Sequence, residues 1–411
     1  MNIYSYKDSM IFSYEYLEGF RKSSIEEAAK HSRYFFCQDY STNSRRHFVI
    51  TTKRQLSQIE ESLDLLISDL DDSSEDFVEE LIKNRQLFGL NTSYHNWKSI
   101  LDKPLKTSGF NVNIVGLGDV GGTLLQGLRL LGSNLISEIG IFDTDTKKAS
   151  RWHLETSQIF HPSFPTMPEI KLIDENELFD CDMFIFCVSV GVPPIGQEDK
   201  DVRLVQFEGN SKILNKYGEL ARNSNFDGIF AVVSDPVDQL CQSLYINSNT
   251  ANEIFDNKGL APEQIIGYGL GVMNARANFY SKTNPETLNY QEVGRAFGPH
   301  GKGLVIANDL ENYRDDLSDF LTQKALTANL EVRHLGFKPY IAPALSSGAL
   351  SIISTLNGNW NYSSTFLGGV FMGCKNRYIK GAVELEQIPL IRPLFQKLQK
   401  TYDDLKAFNL K

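Results

Sequence analysis

Several classes of protein are excluded by what this sequence does not contain. Its five cysteines, Cys37, Cys181, Cys187, Cys241 and Cys374, are scattered and odd in number. They form neither a metal-ligand spacing nor a disulfide framework, so a reducing cytoplasm is the expected setting. Cys181 and Cys187 flank the apolar run DMFIF and read as small core residues. The seven histidines show no H-x-x-x-H pattern and no His/Cys ligand spacing, so no metal is expected. Basic residues are in deficit, 41 Lys and Arg against 51 Asp and Glu, which gives a net charge of −10. A general nucleic-acid or anionic-membrane binder needs a basic face, and neither partner is expected. No run approaches the roughly 20 apolar residues that span a bilayer. The first residues, MNIYSYKDSMIFSYEYLEG, lack the basic and apolar regions of a signal peptide. Internal repeats and low-complexity segments are also missing.

The 411 residues suffice for two or three domains. Residues 1–108 are rich in Tyr and Phe and poor in glycine, and they read as a small folded N-terminal module of unassigned role. Within it, RQLSQIEESLDLLISDL places Leu56, Ile59, Leu63, Leu66 and Leu70 at three- and four-residue steps, which predicts an amphipathic helix. A second helix is predicted to follow, capped around Ser73 and Asp76, holding Phe77, Leu81 and Ile82, and ended by Gly89.

From residue 109 the pattern changes. The short apolar runs NVNIVGLG, EIGIFD, IKLI, DMFIFCVS and GIFAVVSD alternate with helical stretches. Runs rich in Val, Ile and Phe without polar alternation suit parallel strands buried on both faces, so residues 109–265 are expected to form a doubly wound α/β sheet. Residues 266–411 mix helices with short strands and end in the helix-like PLIRPLFQKLQKTYDDLKAF.

The first run leads into a phosphate-binding signal. NIVGLGDVGG sets Gly116, Gly118 and Gly121 in a G-x-G-x-x-G frame between a strand and a helix. Such glycines permit a tight turn, approach of a diphosphate to the backbone, and close helix–strand packing. The second strand ends in Asp143, a carboxylate placed to accept from an adenosine ribose and to repel a 2′-phosphate, which favours NAD over NADP.

Further segments follow in a recognisable order: CVSVGVPPIG, DVRLVQFEGN with Arg203, VVSDPVDQL, GYGLGVMNARANFY, and FGPHGKGLV with His300. Together with the glycine loop and Asp143, this order resembles the lactate and malate dehydrogenase family over roughly residues 109–400. The resemblance implies a Rossmann-type NAD domain followed by a mixed α+β substrate domain, usually in dimers or tetramers. It implies hydride transfer between NAD and a 2-hydroxy or 2-oxo acid. Cofactor contacts are implied at Gly116, Gly118, Asp119, Val120, Gly121, Asp143, Ser189, Val190 and Gly191. His300 matches the histidine that exchanges the hydroxyl proton. Arg276 matches the arginine that forks the substrate carboxylate. Arg203 matches the loop arginine that polarises the substrate carbonyl, although the stretch from Gly191 to Arg203 is about three residues longer than usual and Gln197 cannot be assigned a role.

The match breaks at the reacting centre. Met273 stands where the family places an aspartate beside the histidine, Asp235 where it places an asparagine, and Ile341 where it places a substrate-pocket threonine. Lys302 follows the His300–Gly301 pair, where an acidic residue is common. Three readings stay open. Asp235 has taken over the carboxylate task for His300. Alternatively, Asp235 recognises a cationic group of an imino, amino or peptide-linked substrate. In the third, turnover is lost and the chain is an NAD-binding sensor or structural partner. The added module and longer loop leave room for a substrate larger than a simple 2-oxo acid.

Overall fold

The structure is a computed structural model that describes residues 1–28, 31–58, 60–68, 76–190 and 202–408. Each of the five apolar runs forms a strand: β7 (Phe110–Val115), β8 (Ile136–Phe142), β9 (Glu169–Leu172), β10 (Met183–Phe186) and β11 (Ile229–Val232). They pair in parallel in the order β11-β10-β7-β8-β9. Both faces of this sheet are covered. Met183 and Ile185 point into one apolar cluster with Leu124 and Leu128, whereas Phe184 and Phe186 point into another with Phe230 and Leu240. Alternate side chains of one strand thus enter two cores, which is why the sequence shows no polar alternation.

The same sheet extends far beyond the dinucleotide-binding segment. Four later strands form the ribbons β12 (Thr250–Ala251) with β13 (Ile254–Phe255), and β15 (Arg295–Phe297) with β16 (Val305–Ala307). Strand β14 (Ile265–Gly267) adds to β11 in parallel, and β17 (Asn361–Leu367), β18 (Val370–Ile379) and β19 (Ala382–Leu385) follow as an antiparallel meander. The N-terminal module contributes β1 (Asn2–Tyr6), β2 (Ser9–Ser13), β3 (Arg21–Lys22), β4 (Arg33–Gln38), β5 (His47–Val49) and β6 (Leu87–Asn91). Strand β5 pairs with β19 through Phe48 and Val383, so the described residues carry one 15-stranded sheet through all three segments of the chain.

Two local expectations are corrected inside the module. The helix expected over residues 54–70 is replaced by two 3-10 turns, Lys53–Leu56 and Leu63–Leu66; Ile59 and Leu70 lie outside the described residues. The leucines are buried, but in different places. Leu56 packs with Phe36 and Phe48, while Leu63 and Leu66 pack with Val370 and Leu394. A single straight helix cannot serve two cores. Glu61 is also drawn inside to pair with the buried Arg45 at 2.9 Å, and the Ser62 hydroxyl accepts from Asp64 N at 3.2 Å to start the second turn. The second helix forms at Phe77–Lys83 and buries Val78, Leu81 and Ile82, with Ser73 outside the described residues. It ends at Asn84, not at Gly89, because Arg85 turns left-handed (φ 57°) and its guanidinium donates back to Ile82 O. Gly89 lies in β6.

Candidate active site

The glycine loop sits at the carboxyl end of β7. Gly116 has φ +88°, a left-handed conformation that favours glycine. A side chain at Gly121 would lie 2.0 Å from Gly116 O, so the helix Asp119–Leu131 packs directly on the turn. In front of Gly118, the N-cap of that helix, there is open space where a side chain would otherwise project. Two side chains fix the loop between them. Asp143 accepts from Leu117 N at 2.8 Å, and Trp152 Nε1 donates to Leu117 O at 3.0 Å. Asp143 also accepts from Asp145 N at 2.9 Å and pairs with Lys148 at 3.1 Å. Burial raises the pKa of this carboxyl, but those backbone N–H groups and Lys148 outweigh it and hold the group below the usual carboxylate range.

This loop opens on a cavity of about 1070 Å³ that runs across the carboxyl ends of β7, β8, β10 and β11. The sheet reverses its order there, between β7 and β10, the place where open α/β sheets bind ligands. Buried Asn210 ties two walls together: its Oδ1 accepts from Val190 N at 2.8 Å and its Nδ2 donates to Asp235 O at 2.7 Å. A second cavity of about 680 Å³ adjoins the first, and Gln206, Asp235, Arg276, His300, Asn329 and Arg333 line both. At this junction His300 Nδ1 lies 3.0 Å from Asp235 Oδ1. Carboxylate oxygen is an acceptor, so Nδ1 carries a proton, and in the neutral tautomer Nε2 holds the lone pair. Arg276, on the helix Leu270–Ser281, donates to Ala325 O at 3.2 Å and contacts Met273 Sδ at 3.5 Å. Burial lowers its pKa, while the charge of Asp235 pulls it back up. Among the described residues Arg276 has no carboxylate partner at ion-pair distance, and Met273 beside it is buried.

Residues 110–256 match the lactate/malate dehydrogenase NAD-binding domain. The L-lactate dehydrogenase of Oceanobacillus iheyensis is 27% identical over 322 residues, 70% of this chain and 92% of that one. Solved structures share the fold. A lactate dehydrogenase from a Medee basin deep-sea metagenome superposes with TM-score 0.59 at 17% identity, covering 73% of this chain and 97% of its own. The malate dehydrogenase of Archaeoglobus fulgidus in complex with NADH gives 0.57 at 16%, covering 72% and 97%. Residues 110–256 thus carry a lactate/malate dehydrogenase NAD-binding domain, and the chain is similar to an enzyme of that family along 70% of its length. The cofactor of its Rossmann domain is NAD, and the residues present fit that group. Gly118 leaves the helix N-terminus bare for a diphosphate, and Asp143 stands ionised at the end of the next strand. Residues 1–109 lie outside the matched domain.

As this dehydrogenase relative folds, most of the residues singled out in its sequence converge. Gly116, Gly118, Asp119, Val120, Asp143 and Ser189 line the first cavity, and Gly121 packs behind the turn. Val190 approaches through its bond to Asn210. Asp119 pairs with Lys338 at 3.1 Å across the mouth. Gly191 and Gln197 lie outside the described residues; Arg203 falls in the helix Val202–Asn223, with its side chain outside the description. Ile341 is a correction. The residue is 58% exposed and lines neither cavity; its neighbours Tyr340 and Pro343 line the first instead, because the helical turn there aims Ile341 outward. Reading the sequence missed Trp152, Lys148, Asn329 and Arg333. The last two had a signal: Leu326, Asn329 and Arg333 follow helical spacing and share one face of Asp315–His334.

Proposed function

We propose that this protein is an active NAD-dependent oxidoreductase that exchanges hydride at C2 of a 2-hydroxy or 2-oxo acid, or of a related acid carrying another group at C2. The observation that carries the reading is the 3.0 Å contact of His300 with Asp235, on the same cavity as Arg276, which has no carboxylate partner among the described residues. When bound, NAD accepts or supplies the hydride. Arg276 holds the substrate carboxylate with its planar fork, which fixes which end of the substrate faces the nicotinamide. In the oxidative direction the substrate must lose an O–H or N–H proton as hydride leaves. His300 Nε2 takes that proton, and Asp235 fixes the tautomer and stabilises the resulting imidazolium. Asp235 thereby performs from the β11 end the task that the buried Met273 cannot. Arg203 is assigned to the substrate's reacting group on family resemblance alone. The longer loop and the second cavity leave a substrate larger than lactate open.

His300→Gln tests the reading. With NAD and a panel of 2-substituted acids, oxidation should fall by about 10²–10⁴-fold, the usual contribution of a positioned acid–base group. NADH affinity, measured by fluorescence titration, should be unchanged. Undiminished turnover removes His300 from the chemistry, and NADH binding without turnover of any acid by the wild-type protein leaves a nucleotide-binding protein in place of an enzyme.

A further inference from the structure

The geometry points to a substrate whose reacting group is a hydrogen-bond donor, a protonated 2-imino acid reduced to a 2-amino acid, in place of a 2-oxo acid. This rests on the proposed C2 hydride exchange and names its substrate class.

Two acceptors converge on the junction of the cavities. Asp235 Oδ1 is occupied by His300 Nδ1, but Asp235 Oδ2 has no hydrogen-bond partner among the described residues, and the side chain is 46% exposed. When the imidazole is neutral, the same contact leaves its lone pair on Nε2, a second acceptor beside Asp235 Oδ2. Buried Met273, on the other side, adds neither a donor nor a charge. A carbonyl brings two lone pairs of its own, and the alkoxide formed from it brings a negative charge. Placed beside the Asp235 carboxylate, both are repelled. An iminium, C=NH₂⁺, offers what the site lacks: two N–H donors for the two acceptors, and a positive charge for Asp235. The cations complete the match. Arg276 has no carboxylate partner among the described residues and takes the substrate carboxylate, so Arg276 and Asp235 address the two ends of a zwitterion.

The step balances without further reagents. C2 of the imino acid gains hydride from NADH, which leaves as NAD⁺. The π pair of the C=N bond becomes the lone pair of the amine, both N–H bonds are kept, and water protonates the amine afterwards. The reverse direction needs His300 to take a proton from the ammonium group before hydride departs.

Asp235→Asn supplies the test. Asparagine keeps an oxygen for His300 Nδ1 and puts an NH₂ donor where Oδ2 stood, so one atom inverts what the site accepts. The probes are a cyclic five-membered 2-imino acid, used without added ammonia, whose iminium keeps the positive charge and one N–H donor for Asp235, and a panel of 2-oxo acids, with NADH absorbance and product mass as readouts. The wild-type protein should prefer the imino acid in kcat/KM by at least about 100-fold, the scale on which polar sites reject a mismatched partner. Asp235→Asn should reverse the order. In the presence of NADH, the 2-amino acid should raise the melting temperature of the wild-type protein and the 2-hydroxy acid should not. Asp235→Ala, which removes the acceptor without adding a donor, should lose imino-acid reduction even if the asparagine variant fails to fold. A wild-type preference for 2-oxo acids, further weakened in Asp235→Asn, overturns the imino assignment and leaves the proposed function standing. NADH binding with no reduction of either class overturns both.

Discussion

Single residues near the reacting centre differ in how freely they carry charge, and Asp238 is the extreme. It follows Asp235 by three residues in the first turn of the helix Val237–Ser248, is buried, and accepts from the Ser364 hydroxyl at 2.7 Å. Burial pushes its carboxyl up to about 6, against the opposing pull of Ser364, backbone N–H groups and His300. The sign of the linkage follows. A carboxyl whose folded pKa lies above its unfolded value favours folding while protonated, and that contribution is complete below the unfolded pKa. It is lost as pH rises through about 6. The shift is worth roughly 3 kcal/mol. Asp238→Asn keeps the oxygen that Ser364 bonds and removes the titration. Urea unfolding of both proteins should show the variant gaining on the wild type between about pH 4 and about pH 6.5, by up to that amount. A gap that stays constant with pH would show that Asp238 is not held protonated by its surroundings.

At the level of elements, the strand–turn–helix around β7 separates a packing glycine from a binding glycine. A methyl group at Gly121 meets Gly116 O at 2.0 Å, whereas one at Gly118 meets nothing within 4 Å. Gly121→Ala should therefore push the helix off the strand and lower stability by about 1–3 kcal/mol, the usual cost of overpacking. Gly118→Ala should fold normally and lose NADH affinity, because its methyl fills the space left for the diphosphate. Calorimetric melting and NADH titration separate the two; equal melting temperatures would remove the packing claim, and full affinity in Gly118→Ala the binding claim. This element was legible in the sequence because every signal it uses is local: an apolar run, three glycines at fixed spacing, and an acid at the next strand end. The His300–Asp235 contact joins residues 65 positions apart. Spacing could not reveal it, and only the family order of motifs brought the two together on paper. Ile341 was misplaced for a related reason. Alignment fixes a residue's position along the chain, but the local helical phase decides where its side chain points. The helix expected over residues 54–70 failed because periodicity records that leucines are buried and is silent on how many cores receive them.

At the scale of the whole molecule, the N-terminal module is built into the sheet that carries the site. Strand β5 closes the edge of β19, and behind it Arg46 reaches Glu263 at 2.8 Å, with both side chains buried. Glu263 lies two residues before β14, the strand from which the Arg276 helix departs. Tyr94 and Tyr245 meet at 3.3 Å across the same junction, and Arg85 and Arg377 share the buried Glu384. The Arg46–Glu263, Tyr94–Tyr245 and Arg85–Glu384 pairings are invisible to periodicity, since their partners lie some 150 to 300 residues apart. Burying an ion pair costs desolvation that the pair itself repays, so its removal is asymmetric. Arg46→Met leaves Glu263 charged and unpaired in the interior and should cost about 3–5 kcal/mol. Adding Glu263→Leu removes the stranded charge and should restore most of that loss. Because β14 is tethered through this pair, the single variant should also weaken substrate binding by displacing Arg276, while the glycine loop on the far side of β11 keeps its NADH affinity. Urea unfolding, the KM for the preferred substrate and NADH titration, run on both variants, decide the point. Additive losses in the double variant would mean that Arg46 and Glu263 act separately and that the module only leans against the dehydrogenase fold, whereas recovery would establish that the module and the site share one buried electrostatic contact.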